Sequence, residues 1–236
     1  ELPGWDSPWG RGRPGWHMEC SAMIAKHLGT TIDIHGGGND LKFPHHENEI
    51  AQARCAQNEA PRARFWVHNG FVEIDSEKMS KSIGNVLLVR DLLQKYPGEA
   101  IRLALIRTKY HEPLNWNEAL IAEAKNQLDR IYGALERPGD VQPAADAVPP
   151  AAFCAAMDDD LNTPQAITVL MELVATINRG VNVDEAPQLA GEVLACGFEL
   201  GVLRHTAAQW FRLQTGTRVD EAEIKALVEA RDAARA

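Results

Sequence analysis

The sequence predicts an α/β unit followed by an all-α unit. Between Met18 and Ile74, helical spacing and β-branched runs alternate, which is the pattern of crossover units that lay strands parallel. Beyond residue 116 the apolar positions recur every three or four residues, as in packed helices. Charge divides at the same point. Residues 1–116 carry 14 basic and 14 acidic side chains, whereas residues 117–236 carry 10 and 19, which is all of the net charge of −9.

Taken in order, Glu1 to Gly15 predict no element of their own. Met18 to Leu28 has helical spacing and stops at Gly29, and Thr31 to Ile34 is a short β-branched strand. Pro44 opens a second helix running to about Asn58, and Phe65 to Ile74 reads as one strand. Two strands are fewer than a doubly wound sheet needs, so the sequence predicts that the chain starts inside a domain. In the back half, Leu120, Ile121, Ala124, Leu128, Ile131 and Leu135 line one helix. Val169, Leu170, Leu173, Val174 and Ile177 line another, with Thr163 as its cap and Pro164 in its first turn. Pro138 to Pro150, rich in Ala and Pro, reads as a surface loop.

Composition narrows the function classes. With 45% hydrophobic and 24% charged residues, the chain can bury a core. No apolar run approaches the roughly 20 residues that cross a bilayer, and no leader is predicted, so neither a membrane partner nor secretion is expected. Four dispersed cysteines, Cys20, Cys55, Cys154 and Cys196, predict reduced thiols and a cytoplasmic location. The acidic total argues against nucleic acid until it is located, because the front half is neutral.

The residues with chemistry lie between 16 and 85. His45 and Glu49 are four apart near a helix start, so both project from one face and suit one metal ion. Cys20, near the start of an earlier helix whose N-terminus favours a thiolate, supplies a soft third donor, and the set points to zinc. The bland reading is a solvated helix face and a small buried cysteine. His35-Gly36-Gly37-Gly38-Asn39-Asp40 follows the first strand. Its glycines allow close approach of a nucleotide and Asp40 can accept from ribose hydroxyls, although such a loop can also be a tight turn. In Glu77-Lys78-Met79-Ser80-Lys81-Ser82, two lysines with hydroxyl residues between them make a cationic loop suited to the leaving pyrophosphate of a triphosphate.

With that KMSKS string the sequence resembles the class I aminoacyl-tRNA synthetases and, within them, the cysteinyl-tRNA synthetase family. The matching segments are GWDSPWGRGRPGWHMECSAM (4–23), DIHGGGNDLKFPHHENEIAQ (33–52), HNGFVEIDSEKMSKSIGN (68–85) and MDDDLNTPQAI (157–167). The resemblance implies the second half of a Rossmann-like catalytic domain over 1–75, a KMSKS loop and stem-contact region over 76–116, and a tRNA-binding helical bundle over 117–236, incomplete at its end. It implies an active-site Zn2+ held by Cys20, His45 and Glu49, with the family's remaining cysteine ligand and its HIGH signature absent. None of Cys55, Cys154 or Cys196 takes that place. It further implies two steps, formation of cysteinyl-adenylate from L-cysteine and ATP (with Mg2+) and transfer to tRNA(Cys), by a monomer. Lys78, Lys81 and His35 then serve catalysis, Gly36, Gly37, Gly38, Asp40, Met79 and Lys81 hold the nucleotide, and Trp16 and His35 face the cysteine. His46 and Glu47 buttress the site, and His68 receives no role. Two alternatives are a fragment that contacts zinc and tRNA without catalysis, and the mycothiol-pathway ligase that joins cysteine to a glucosamine-inositol. The latter family begins its glycine loop with Gln and lacks the Glu-Asn-Glu ending, so His35 and Glu47-Asn48-Glu49 favour the tRNA enzyme.

Overall fold

The computed structural model describes residues 3–56, 62–74, 87–136, 142–180, 182, 184–213 and 231, and the backbone of 77–78. Two compact units result, Glu1–Met79 with Tyr110–Asn115, and Ser80–Lys109 with Trp116–Ala236. Among the described residues no helix is long and apolar enough to cross a membrane.

The first unit opens with a feature the sequence does not predict. Trp5 and Gly12 bridge antiparallel, closing a hairpin over residues that carry no regular hydrophobic pattern. Helix α1 (Trp16–His27) follows, and its last turn is stopped by Gly29 at φ +96°, a conformation that favours glycine. Strand β1 (Ile32–Gly38) is longer than the β-branched run, because His35 and all three glycines continue it. The expected glycine loop is therefore a strand. All three glycines pair in parallel with β2 (Ala63–Asn69), Gly36 opposite Val67, Gly37 opposite His68 and Gly38 opposite Asn69.

Between these strands the chain makes a tight turn at Asn39–Leu41 and a wider one at Lys42–His46, with extended backbone at Phe43 before a cis Pro44. Helix α2 (Glu47–Ala56) thus starts three residues later than Pro44 predicts. The second expected strand also divides. Gly70 donates its N–H to the Tyr110 carbonyl at 2.8 Å, and a Cβ at Gly70 would strike the Glu112 carbonyl. The crossing chain turns the backbone here, so β3 (Val72–Ile74) leaves the parallel pair. It joins β4 (Glu77–Lys78) in an antiparallel ladder, in a second sheet of order β4-β3-β5 with β5 (Leu114–Trp116).

The second unit is helical: α3 (Val89–Leu92), α4 (Gly98–Ile106), α5 (Glu118–Glu136), α6 (Ala151–Asp158), α7 (Thr163–Arg179), α8 (Ala186–Leu200) and α9 (Ala207–Leu213). The stripe read on α5 is present, with Ile121, Ala124, Leu128 and Ile131 buried and Tyr132 added to it. It packs against α4, α7 and α9, and α7 packs against α6 and α8. The cap of α7 is Asn162, whose side chain accepts from Gln165 N–H at 3.3 Å. Thr163, expected as the cap, is the first helical residue. Residues 142–150 form no regular element and lie along α8, with Ala144 N–H donating to the Pro187 carbonyl at 2.9 Å.

Candidate functional site

Three elements of the first unit bring chemistry to one place. Cys20 lies in the second turn of α1, His45 in the turn before α2, and Glu49 in the first turn of α2. Their donor atoms all lie within 4.8 Å of one another. His45 and Glu49 are buried, and Glu49 is 0% exposed. The i,i+4 spacing works as predicted, with His45 Nε2 lying 2.7 Å from Glu49 Oε1. Yet neither carboxylate oxygen of Glu49 receives an aligned hydrogen bond. A fully buried carboxylate in that state is costly unless a cation takes its lone pairs. Tetrahedral zinc sets its donors about 3.5 Å apart at ordinary bond lengths. The three residues fit such an ion.

The expectation for the Cys20 thiol is reversed. Burial pushes its pKa up, and the charges of Glu49 and Glu19 push the same way, so the helix N-terminus does not prevail. A metal ion held by these residues would supply positive charge that favours the thiolate.

Around the triad the structure gathers aromatic rings, some with a role expected from the sequence and some without. His17 Nδ1 lies 2.6 Å from His45 Nδ1, and Trp16 stacks on the His45 ring at 4.2 Å between centroids while remaining 57% exposed. His35, expected among the catalytic residues, stacks on Trp66 at 4.7 Å and points Nε2 toward Glu49 Oε2 at 3.5 Å. Its Nδ1 is buried without a partner. Burial, more than any neighbouring charge, lowers the His35 pKa. His46 is buried and bonded through Nδ1 to His68 Nε2 at 2.8 Å, which gives His68 a place in the site. Desolvation, then the charges of His35, His68 and His45, pushes His46 down to about 4. Glu47, expected to buttress the site, is exposed.

Arg62 lies just before β2 and is 2% exposed. It donates to the Ser21 carbonyl, next to Cys20, at 2.9 Å, while Ser21 Oγ donates to Gln52 of α2 at 2.7 Å. The Ser21–Gln52 bond ties the two ligand-bearing helices together, and the Arg62 bond ties α1 to the start of β2. Burial lowers the Arg62 pKa, and the charge of the Glu49 carboxylate acts the other way. His17, Trp66 and Arg62 draw no role from the sequence, and His68, singled out there, draws none either. The available signal was the density of ring residues, since six of the eight histidines fall between 17 and 68.

The glycines serve this packing unequally. A Cβ at Gly37 would come within 2.9 Å of His46 Cε1, and one at Gly38 within 2.5 Å of Asp40 Oδ1, whereas one at Gly36 would meet the Val67 carbonyl at an ordinary 3.7 Å. Asp40 itself is exposed. Lys78 pairs through its backbone with Glu73, and the rest of the motif, Met79 and Lys81 included, lies outside the described residues.

The family model described as the tRNA synthetases class I (C) catalytic domain matches residues 1–126, more than half of the chain. The chain belongs to this family. A second family model, the DALR domain, matches residues 152–203, so a class I synthetase catalytic domain is followed by a DALR helical domain. Among curated proteins, the cysteine–tRNA ligase of Parvibaculum lavamentivorans (strain DS-1) is 55% identical over 238 residues, covering 100% of this chain and 51% of the relative. That of Maricaulis maris (strain MCS10) is 52% identical over 235 residues, with the same two coverages. The chain spans about half the length of the curated relatives it matches. In fold it is similar to the Agrobacterium radiobacter K84 LeuRS solved in a ternary complex with tRNA and LeuAMS. There the TM-score is 0.60 at 15% identity, covering 90% of this chain and 34% of that one.

Proposed function

We propose that the chain serves a cysteine–tRNA ligase, which joins L-cysteine to tRNA(Cys) at the expense of ATP and selects cysteine by coordinating its thiolate to zinc. The observation that carries this reading is the convergence of Cys20, His45 and Glu49 around a buried carboxylate whose lone pairs no hydrogen bond fills. When bound there, zinc supplies a soft Lewis-acid position that takes the substrate sulfur as thiolate and holds a serine hydroxyl poorly.

The residues of the chain prepare that position. For His45 to offer Nε2, its Nδ1 must carry the proton and donate it to His17 Nδ1, so His17 fixes the tautomer and orientation of the ligand. Trp16, lying against His45 and half exposed, closes the cysteine pocket with its indole face. His35, kept uncharged by burial at neutral pH, offers its partnerless Nδ1 to the amino acid. In the first step a carboxylate oxygen of cysteine attacks the α-phosphate of ATP, and the bond to pyrophosphate breaks. Lys78 and Lys81 neutralise the charge that develops on the leaving group, a role that preorganised cations perform well. Backbone at Gly36 to Gly38, with Asp40 and Met79, holds the adenosine, and Mg2+ accompanies the nucleotide. In the second step a hydroxyl of the terminal tRNA ribose attacks the adenylate carbonyl and AMP leaves. The DALR helices contact the tRNA.

Cobalt loading tests the selection step. Co2+ bound to the chain should show a sulfur-to-metal charge-transfer band from Cys20 that intensifies with cysteine and not with serine. Cys20→Ala and His45→Ala should each weaken metal binding by at least about 100-fold, more than loss of a group behind a ligand does. Variants that kept full metal content and thiol affinity would overturn the assignment.

A further inference from the structure

Residues 5–12 spend many hydrogen bonds on a small hairpin. Trp5 N–H donates to the Gly12 carbonyl at 2.7 Å, and Gly12 N–H donates back to the Trp5 carbonyl at 2.9 Å. At the tip, the N–H and hydroxyl of Ser7 donate to the Gly10 carbonyl at 3.1 and 2.6 Å. Gly10 N–H donates to the Ser7 carbonyl at 3.0 Å, and Trp9 N–H donates to the Ser7 hydroxyl at 3.3 Å. Pro8 stiffens the first corner, and Gly10 sits at φ +101°, where a side chain would be strained.

All of this order presents a ring to water. Trp9 is 92% exposed, and Trp5 on the same hairpin is 57% exposed. A large apolar ring set in solvent on an ordered backbone contributes little to packing and suits a binding contact, because the ordering entropy of its main chain is already spent. Two cations follow it closely in the chain. Arg11 and Arg13, with side chains 66% and 56% exposed, face Asp6 at 3.9 Å and Glu19 at 3.6 Å. Such exposed pairs are weak and exchange readily for a phosphate. An exposed indole with two exposed guanidinium groups within four residues of it is the chemistry that takes an unpaired nucleobase and its backbone.

We propose that this hairpin is a stacking platform for single-stranded RNA, the unpaired 3′ end of the substrate tRNA, with Trp9 taking a base and Arg11 and Arg13 the adjoining phosphates. It rests on the tRNA reading above, whose second step needs the terminal ribose presented unpaired. The hairpin and the Cys20–His45–Glu49 cluster belong to the same compact unit.

The test is a titration of a fluorescein-labelled single-stranded ribo-octanucleotide with the full chain, read by anisotropy. The single strand should bind, and Trp9→Ala should weaken it about ten-fold, the loss of one stacking partner. Trp9→Phe should keep most of the affinity, and Trp9→Ala should leave the melting temperature unchanged, because the ring packs against little. Arg11→Ala and Arg13→Ala should each flatten the salt dependence by about 0.7 in log–log slope, the value for one phosphate of a single strand. No binding, equal binding by Trp9→Ala, equal binding of the octamer as a duplex, or Trp9-dependent binding to phosphatidylserine vesicles in place of RNA would overturn the proposal. Cobalt loading measured in parallel separates the two readings. Loss of the cysteine-dependent band with Trp9-dependent RNA binding intact removes the zinc reading alone, and the reverse result removes the hairpin alone.

Discussion

Glu99→Ala should be among the most damaging single substitutions in the helical unit, although it removes a carboxylate rather than a core hydrocarbon. Glu99 is in the first turn of α4 and only 8% exposed. Its Oε2 accepts from the Tyr132 hydroxyl at 2.9 Å and from Leu203 N–H at 3.0 Å, while Oε1 accepts from Arg204 N–H at 2.8 Å. One side chain therefore ties α4 to α5 and to the segment after α8. Tyr132 is 0% exposed and Leu203 is 7% exposed, so alanine strands two buried donors, whereas water can reach the half-buried bond to Arg204. At roughly 1–3 kcal/mol for each stranded donor, the expected cost is about 4 kcal/mol. That is a large part of the roughly 5–15 kcal/mol by which domains are stable. Tyr132→Phe should cost about 1–2 kcal/mol, since Glu99 keeps both backbone donors while the part-buried His205 N–H loses the Tyr132 hydroxyl as its acceptor. In the double variant one stranded donor is gone, so the two changes should couple favourably by about 1–2 kcal/mol. Urea unfolding of the four chains, followed by near-ultraviolet circular dichroism, measures this, because Tyr132 stacks on Trp210 at 4.8 Å. A loss below about 0.5 kcal/mol for Glu99→Ala, as at an ordinary surface site, would refute the reasoning.

Gly70→Ala should lower the melting temperature of the first unit markedly, because the new methyl group meets the Glu112 backbone and no flexible side chain can yield; a melt like that of the parent would count against the crossing at Tyr110. Native-state alkylation should modify the exposed Cys55 and Cys154 and spare Cys196, which is 0% exposed, with zinc protecting Cys20 in addition; mass mapping of the labelled peptides reads this. Burial pushes the Cys196 thiol up from 9.0 to about 12, so the folded state holds that proton where the unfolded chain has lost it. Its contribution is fully present below pH 9 and is lost as pH rises toward 12; urea midpoints of the parent should fall faster than those of Cys196→Ala across that window.

The parts of the site legible in the sequence were those set by local geometry. His45 and Glu49 meet because four residues make about one helical turn, and Cys20 joined them through donor chemistry alone. His17 enters the site from α1, Trp66 and His68 from β2 and Arg62 from just before it, and no spacing along the chain announces that a ring nitrogen on one element will lie 2.6 or 2.8 Å from one on another. The strand break at Gly70 has the same origin, since its cause is a carbonyl forty residues away in the chain. Helix stripes in the back half were read well because a 3.6-residue period survives packing against any neighbour. The Thr163 cap was placed one residue late because Asn162 also has a capping side chain and precedes it.

The unequal surroundings of the three glycines in β1 bear on how variants of this strand are interpreted. Alanine at Gly37 displaces the His46 ring, and with it the bond to His68, so lost activity there would report a disturbed histidine network and not a missing nucleotide contact. Gly36 has room for a methyl group in this chain. A defect in Gly36→Ala would have to come from what the strand meets outside the protein, which makes that position the one that can diagnose a ligand.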